Sequence, residues 1–223
     1  MEKGVKTGMA RYLRGALIAL IIFLIFVVPV VYYRASYAHA KRLRVVEPGR
    51  VYRSGQMTAR GFEDAIRRYG IRTVVNLQDE YPDPDVARGY FDRSVVKETD
   101  LCRRLGVRYV FLSLDTLPRR QVPAHRPAAI EEMLDLFDDE SNYPLLIHCR
   151  AGLHRTGCMV AVYRMEYEGW TPEQAVEEMK AHGFGDDACT AANDYVYQYV
   201  LAYRRGFRNG RPVEKAARAP AAH

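Results

Sequence analysis

From Gly15 to Tyr33 the chain reads GALIALIIFLIFVVPVVYY, with no charged side chain between Arg14 and Arg34. At ~1.5 Å of rise per residue a helix of this length reaches about 28 Å, close to the ~30 Å hydrocarbon thickness of a bilayer. The segment reads as one transmembrane helix, with Tyr32 and Tyr33 as interfacial anchors and Pro29 tolerated near its end. A cleaved secretory signal is the rival reading, since Ala38-His39-Ala40 fits a small-x-small cleavage pattern behind a basic stretch. The apolar run is longer than the usual ~7–15 residue signal core, which favours an uncleaved anchor. Orientation stays open: Lys3, Lys6, Arg11 and Arg14 precede the run, and Arg34, Lys41, Arg42 and Arg44 follow it.

The anchor divides the chain into a basic segment 1–14, the helix 15–33, a juxtamembrane linker 34–48 ending at Pro48-Gly49, one domain over 49–205, and a basic, disordered tail over 206–223. Charge supports this division. The net +6 is carried by the ends, where residues 1–44 hold eight Lys/Arg against one Glu and residues 204–223 hold six against one. The body between them is therefore acidic, and a nucleic-acid partner is not expected. Four cysteines, Cys102, Cys149, Cys158 and Cys189, include no Cys-x-x-Cys pair. That spacing suits neither a disulfide scaffold nor a zinc site, and no metal or cofactor is expected.

Within the body, strand and helix patterns alternate. Strands are expected at 50–54, 71–77, 107–112 and 143–148. Helices are expected at 59–69, closed by Gly70, then at 91–105, 126–139, 156–167, 172–182 and 188–204. Thr171-Pro172-Glu173-Gln174 has the form of a capping box with proline at the first helical position. Such alternation implies an α/β fold: a central, mostly parallel sheet flanked by helices, preceded by the single N-terminal transmembrane helix.

The stretch HCRAGLHRTG, residues 148–157, follows the apolar strand YPLLI and opens a helix. A phosphate dianion needs several donors around it. A loop of small residues running into a helix turns successive backbone N–H groups inward at the positive end of the helix dipole. Gly152 permits the close turn, and Arg155 supplies a planar fork able to hold two phosphate oxygens. The same surroundings favour ionised sulfur at Cys149. Cys158 and the remaining cysteines read as packing.

Strand, Cys-x5-Arg-Thr loop and helix together closely resemble the signature of the cysteine-dependent protein tyrosine phosphatases, in particular their dual-specificity branch. VYRSGQ (51–56) and TVVNLQDE (73–80) are similar to that family's opening strand and the strand after it, so the resemblance covers about residues 48–204. It implies that Cys149 attacks phosphorus to give a phosphocysteine that water then hydrolyses. Arg150, Ala151, Gly152, Leu153, His154 and Arg155 hold the phosphate, Thr156 donates its hydroxyl to the departing sulfur, and His148 positions the loop. The general acid it implies is an aspartate on a loop, and FLSLDTLP offers Asp115, with Asp79, Asp186 and Asp187 as alternatives.

The expected substrate is phosphotyrosine in a protein, with phosphoserine and phosphothreonine as further candidates. A phosphoinositide or inositol phosphate is the alternative, favoured by the anchor and by Arg150 and His154. Against it, Leu153 stands where lipid-directed relatives usually carry lysine. Sulfur transfer fits less well, because rhodanese-type loops usually place four residues, not five, between cysteine and arginine. Expected partners are thus a phosphorylated protein or phosphoinositide and the membrane. A catalytic thiol prefers a reducing compartment, so the domain is expected on the cytoplasmic side of the cell membrane.

Overall fold

The computed structural model describes residues 2–114, 126–185, 196–208 and 211–212. The apolar run lies in a longer helix, built from α1 (Glu2–Ile22), a π-helical turn (Phe23–Val27) and α2 (Val28–His39). Pro29 accounts for the turn. It has no N–H to give to the preceding turn, and immediately before it the ladder widens so that the Val28 N–H donates to the Phe23 carbonyl. Leu17, Leu24, Phe26 and Tyr32 are exposed along this helix. Among the described residues, 12–39 is the one helical stretch long and apolar enough to cross a membrane by length and composition.

The body is an α/β sandwich around a five-stranded mixed sheet. Its strands are β1 (Arg44–Glu47), β2 (Val51–Gly55), β3 (Thr73–Asn76), β6 (Arg108–Phe111) and β7 (Leu145–Cys149), in the order β1-β2-β7-β3-β6. Four strands are parallel, and β1 is an antiparallel edge. Side chains alternate along each strand, so two cores form. Tyr52, Val74 and Leu146 meet α3 (Ala59–Tyr69) and α4 (Glu98–Arg104) on one face. Val51, Val75, Leu145 and Ile147 meet α5 (Ala128–Asp138), α6 (His154–Tyr163), α7 (Pro172–Ala181) and α8 (Val196–Leu201) on the other.

Local chemistry sets the ends of these helices. The Thr58 hydroxyl accepts from Gly61 N–H at the start of α3, and Gly70 closes it in the left-handed conformation at φ 62°. Both bonds of the capping box are present at the start of α7.

Three expected segments differ. Residues 34–48, expected as a linker, hold the end of α2 and the whole of β1, so the fold begins before Pro48. The helix expected over 91–105 is a short hairpin, β4 (Asp85–Ala87) and β5 (Val95–Lys97), followed by α4. Asp92 accepts from both the N–H and the hydroxyl of Ser94, at 3.1 and 2.6 Å, which closes a turn where a helix had to continue. In the expected tail, Phe207–Arg208 pairs with Arg211–Pro212, while 213–223 lie outside the described residues. Of the helix expected over 188–204, residues 196–201 are described as helix.

Candidate active site

The strand β7 lies at the centre of the sheet, between β2 and β3, and its buried residues end on Cys149. Cys149 thus stands at the carboxyl edge of the parallel strands, where open α/β sheets place their ligand crevice. Residues 150–153 form a loop from there into α6. Their backbone orientation is fixed from outside. The Arg150 carbonyl accepts from Gln56 N–H at 3.2 Å, the Ala151 carbonyl from Arg42 Nη1 at 2.8 Å, and the Gly152 carbonyl from Arg53 Nη2 at 3.0 Å. In a trans peptide the C=O and the next N–H point opposite ways. Turning three carbonyls outward therefore turns the N–H groups of residues 151, 152 and 153 inward. Gly152 N–H donates to Cys149 Sγ at 3.2 Å, as this orientation requires.

Gly152 is the residue that permits the turn. Its φ is +75°, and a Cβ there would lie 2.5 Å from the Gly55 nitrogen and 2.7 Å from the Ser54 carbonyl carbon. Arg53 below it is buried at 2% exposure, and that burial pushes its guanidinium down to about 10. A buried cation thus sits beneath the sulfur's loop.

Arg155, in the first turn of α6, is held by two carboxylates from the segment after β3: Nη1 lies 3.2 Å from Asp79 Oδ2 and 3.3 Å from Glu80 Oε2. Asp79 also accepts from Ser113 Oγ at 3.2 Å. Glu80 titrates below the usual carboxylate range, through a backbone hydrogen bond and then through Arg155. His148 is fully buried. Its Nε2 lies 2.6 Å from Glu98 Oε1, and its carbonyl accepts from Leu77 N–H at 2.9 Å. Gln56 Nε2 donates to Glu98 at 3.4 Å, and Gln78 Nε2 donates to Gln56 in turn.

Cys149, Gly152, Arg155 and His148 are thus gathered around one loop. The Thr156 hydroxyl is buried and has no hydrogen-bond partner among the described residues, so Gly152 N–H rather than Thr156 contacts the sulfur here. Leu153 turns its side chain into the protein, and His154 packs edge-on against Phe184 at 5.6 Å. Arg150 is exposed. Asp115, Asp186 and Asp187 lie outside the described residues, and Asp79 is engaged with Arg155. Sequence reasoning did not single out Arg53, Gln56, Glu98, Lys41 or Arg42. The first two stand in the VYRSGQ stretch whose similarity was noted, whereas nothing in the pattern around Lys41 and Arg42 marks them.

Comparison with known proteins agrees with this architecture. The family model described as DSP-PTPase phosphatase fused to NAD+ kinase matches residues 29–195. The chain belongs to this dual-specificity branch of the cysteine-dependent protein tyrosine phosphatases. The match begins inside α2, so the extent of the family model, like the sheet, includes the segment before Pro48. The chain is 46% identical to the dual specificity protein phosphatase TpbA of Pseudomonas aeruginosa over 48 residues, 22% of each chain. It is 24% identical to the inositol diphosphatase SIW14 of Saccharomyces cerevisiae over 139 residues, 61% of this chain and 43% of that one. The solved catalytic core of Siw14 has the same fold, with a TM-score of 0.52 at 17% identity over 74% of this chain and 85% of that one. The chain thus matches about a fifth of TpbA and under half of SIW14. Its other described thiols are quiet: burial pushes both Cys102 and Cys158 up to about 12.

Proposed function

We propose that the protein hydrolyses phosphomonoesters through a covalent phosphocysteine at Cys149. The observation that carries this reading is the outward clamping of the carbonyls of 150, 151 and 152, which leaves a ring of N–H groups around the sulfur. A phosphoryl group bound there meets backbone donors and the start of α6 at its oxygens. Arg155 offers its remaining N–H groups to two of those oxygens, while Asp79 and Glu80 fix its direction.

The Cys149 sulfur attacks phosphorus, the P–O bond to the leaving group breaks, and an acid gives its proton to the departing oxygen. Asp115 is the residue assigned to that proton. Water then attacks phosphorus, the P–S bond breaks, and sulfur leaves as thiolate with phosphate released. His148 acts through the strand end, tied to Glu98 on one side and to Leu77 on the other.

Phosphotyrosine in a protein is the leading substrate, in keeping with the similarity to a dual specificity protein phosphatase. A phosphorylated inositol is the second reading. It is favoured by the cations Lys41 and Arg150 beside the loop, neither of which forms an ion pair among the described residues, and by the similarity to an inositol diphosphatase. The apolar helix is assigned as a single-pass anchor in the cell membrane, with the domain on the cytoplasmic side. Turnover by the full chain in detergent micelles, with phosphotyrosine peptides against phosphoinositides, tests the ranking. A kcat/KM higher for the peptide supports phosphotyrosine, and a higher value for the lipid reverses the order.

A further inference from the structure

Of the three carbonyls turned outward around the loop, the one on Ala151 belongs to the peptide whose N–H, on Gly152, touches Cys149 Sγ at 3.2 Å. The direction of that peptide has to be imposed by a neighbour. Glycine populates positive and negative φ about equally, so Gly152 does not choose it. The Arg150 and Gly152 carbonyls are held by β2 and the residue after it, through Gln56 N–H and Arg53. The Ala151 carbonyl is held from outside the sheet, by Arg42 Nη1 at 2.8 Å.

Arg42 stands in the turn that joins α2 to β1. Its φ is 52°, the one positive φ outside glycine among the described residues, and a conformation that persists only where the surroundings over-determine it. Here they do. On the helix side the Ala38 carbonyl accepts from Thr58 N–H at 3.2 Å, and His39 Nε2 lies 2.9 Å from Asp64 Oδ2. Inside the turn Leu43 N–H donates to the Ala40 carbonyl at 3.0 Å. The Lys41 carbonyl accepts from Gly55 N–H at 2.7 Å, and Gly55 is the Cα partner of Cys149 across β2 and β7. The guanidinium is also steadied by the helix, its central carbon lying 5.6 Å from the centre of the Tyr37 ring. The side chain that aims Gly152 N–H at the sulfur is thus gripped by the last turn of the apolar helix.

We propose that Arg42 is a positioning residue for Cys149, and that the end of the apolar helix, through Tyr37 and residues 38–41, is part of what holds the loop in its anion-binding form. This rests on the phosphomonoesterase reading and adds to it a support that lies outside the strand, loop and helix of the motif. A charged donor on the Ala151 oxygen also polarises the shared peptide, so Gly152 N–H becomes a better donor to sulfur or to a phosphoryl oxygen.

The full chain in detergent tests this with two probes: p-nitrophenyl phosphate for turnover, and iodoacetamide with mass spectrometry for alkylation at each cysteine. Arg42→Met lowers kcat/KM by about tenfold or more and slows Cys149 alkylation at neutral pH by about fivefold or more. Cys102 and Cys158, both buried, stay as protected as in the wild type, which separates lost positioning from a loosened fold. Arg42→Lys keeps a charged donor and recovers both readouts to within about threefold of wild type. Arg42→Gly suits the backbone but lacks the donor, and is as impaired as Arg42→Met. Tyr37→Leu costs about two- to fivefold in turnover when Arg42 is present and nothing further in Arg42→Met. Unchanged or faster alkylation of Cys149 in Arg42→Met overturns the proposal, as does faster alkylation of Cys102 and Cys158. So does full activity in Arg42→Gly, which traces the effect to backbone strain. A full additional loss from Tyr37→Leu in Arg42→Met removes the helix end from the account. A wild-type chain that leaves p-nitrophenyl phosphate intact removes the phosphomonoesterase reading instead, and the alkylation of Cys149 then decides the role of Arg42 by itself.

Discussion

Arg53 shows how one side chain shapes the loop from behind. Its guanidinium fixes the Gly152 carbonyl, and that carbonyl's orientation in turn fixes the N–H groups facing the sulfur. Nη1 of the same group is buried without a partner among the described residues, so its charge is not cancelled by a contacting carboxylate. Arg53→Met is expected to lower kcat/KM by about tenfold or more, equivalent to ~1.4 kcal/mol of transition-state stabilisation, read from steady-state turnover. Asp115→Ala is expected to cost roughly 10²–10⁴ in rate for poor leaving groups, and an unchanged rate moves the acid elsewhere. Lys41 carries the opposite balance. Its pKa is lowered in the folded protein, so the folded state binds fewer protons than the unfolded state between the two pKa values, and stability rises with pH across that window. Below the folded pKa the penalty is fully present. Lys41→Met is therefore expected to raise the melting temperature at pH 7, and a fall in melting temperature contradicts this.

At the scale of elements, the N-terminal apolar helix does not end in a free linker. The Ala38 carbonyl accepts from Thr58 N–H at 3.2 Å, and His39 Nε2 lies 2.9 Å from Asp64 Oδ2. The His39 carbonyl presses on Gly61 so closely that a Cβ there would sit 1.7 Å from its oxygen. Gly61→Ala is expected to destabilise the domain by about 1–3 kcal/mol through this clash, measured by denaturant unfolding. Equal stability of the variant places the helix end elsewhere. A fragment beginning at residue 45 loses these docking contacts and the Arg42 clamp on Ala151 together. The elements that sequence patterns exposed most clearly are those whose signal is local. The run at Leu145–Ile147, the Thr171 capping box and Gly70 all behave as their residue types dictate. The hairpin at 85–97 was hidden because its determinant is the Asp92 side chain bonding Ser94, which overrides a helical pattern. Lys41 and Arg42 were hidden because their role exists only after β1 pairs with β2 and brings a remote carbonyl, Ala151, within reach.

At the scale of the whole molecule, the acidic body joins two basic ends, and the helix that leads into the body stops at the rim of the site. As the proposed anchor, a helix docked in this way would hold the loop at a fixed distance from the bilayer. The full chain is accordingly expected to stay with lipid vesicles through a high-salt wash, and release by salt contradicts a spanning helix. The site itself was legible in outline, since Cys149, Gly152 and Arg155 stand in one short stretch. Its supports, Arg53 in β2, Glu98 in α4 and Arg42 in the turn before β1, come from separate parts of the chain and needed the fold. Rapid-quench mass spectrometry on the full chain turning over a phosphotyrosine peptide tests the nucleophile most directly. One phosphate on Cys149, absent in Cys149→Ser together with turnover, is the predicted result; phosphate on another residue, or an active Cys149→Ser variant, contradicts it.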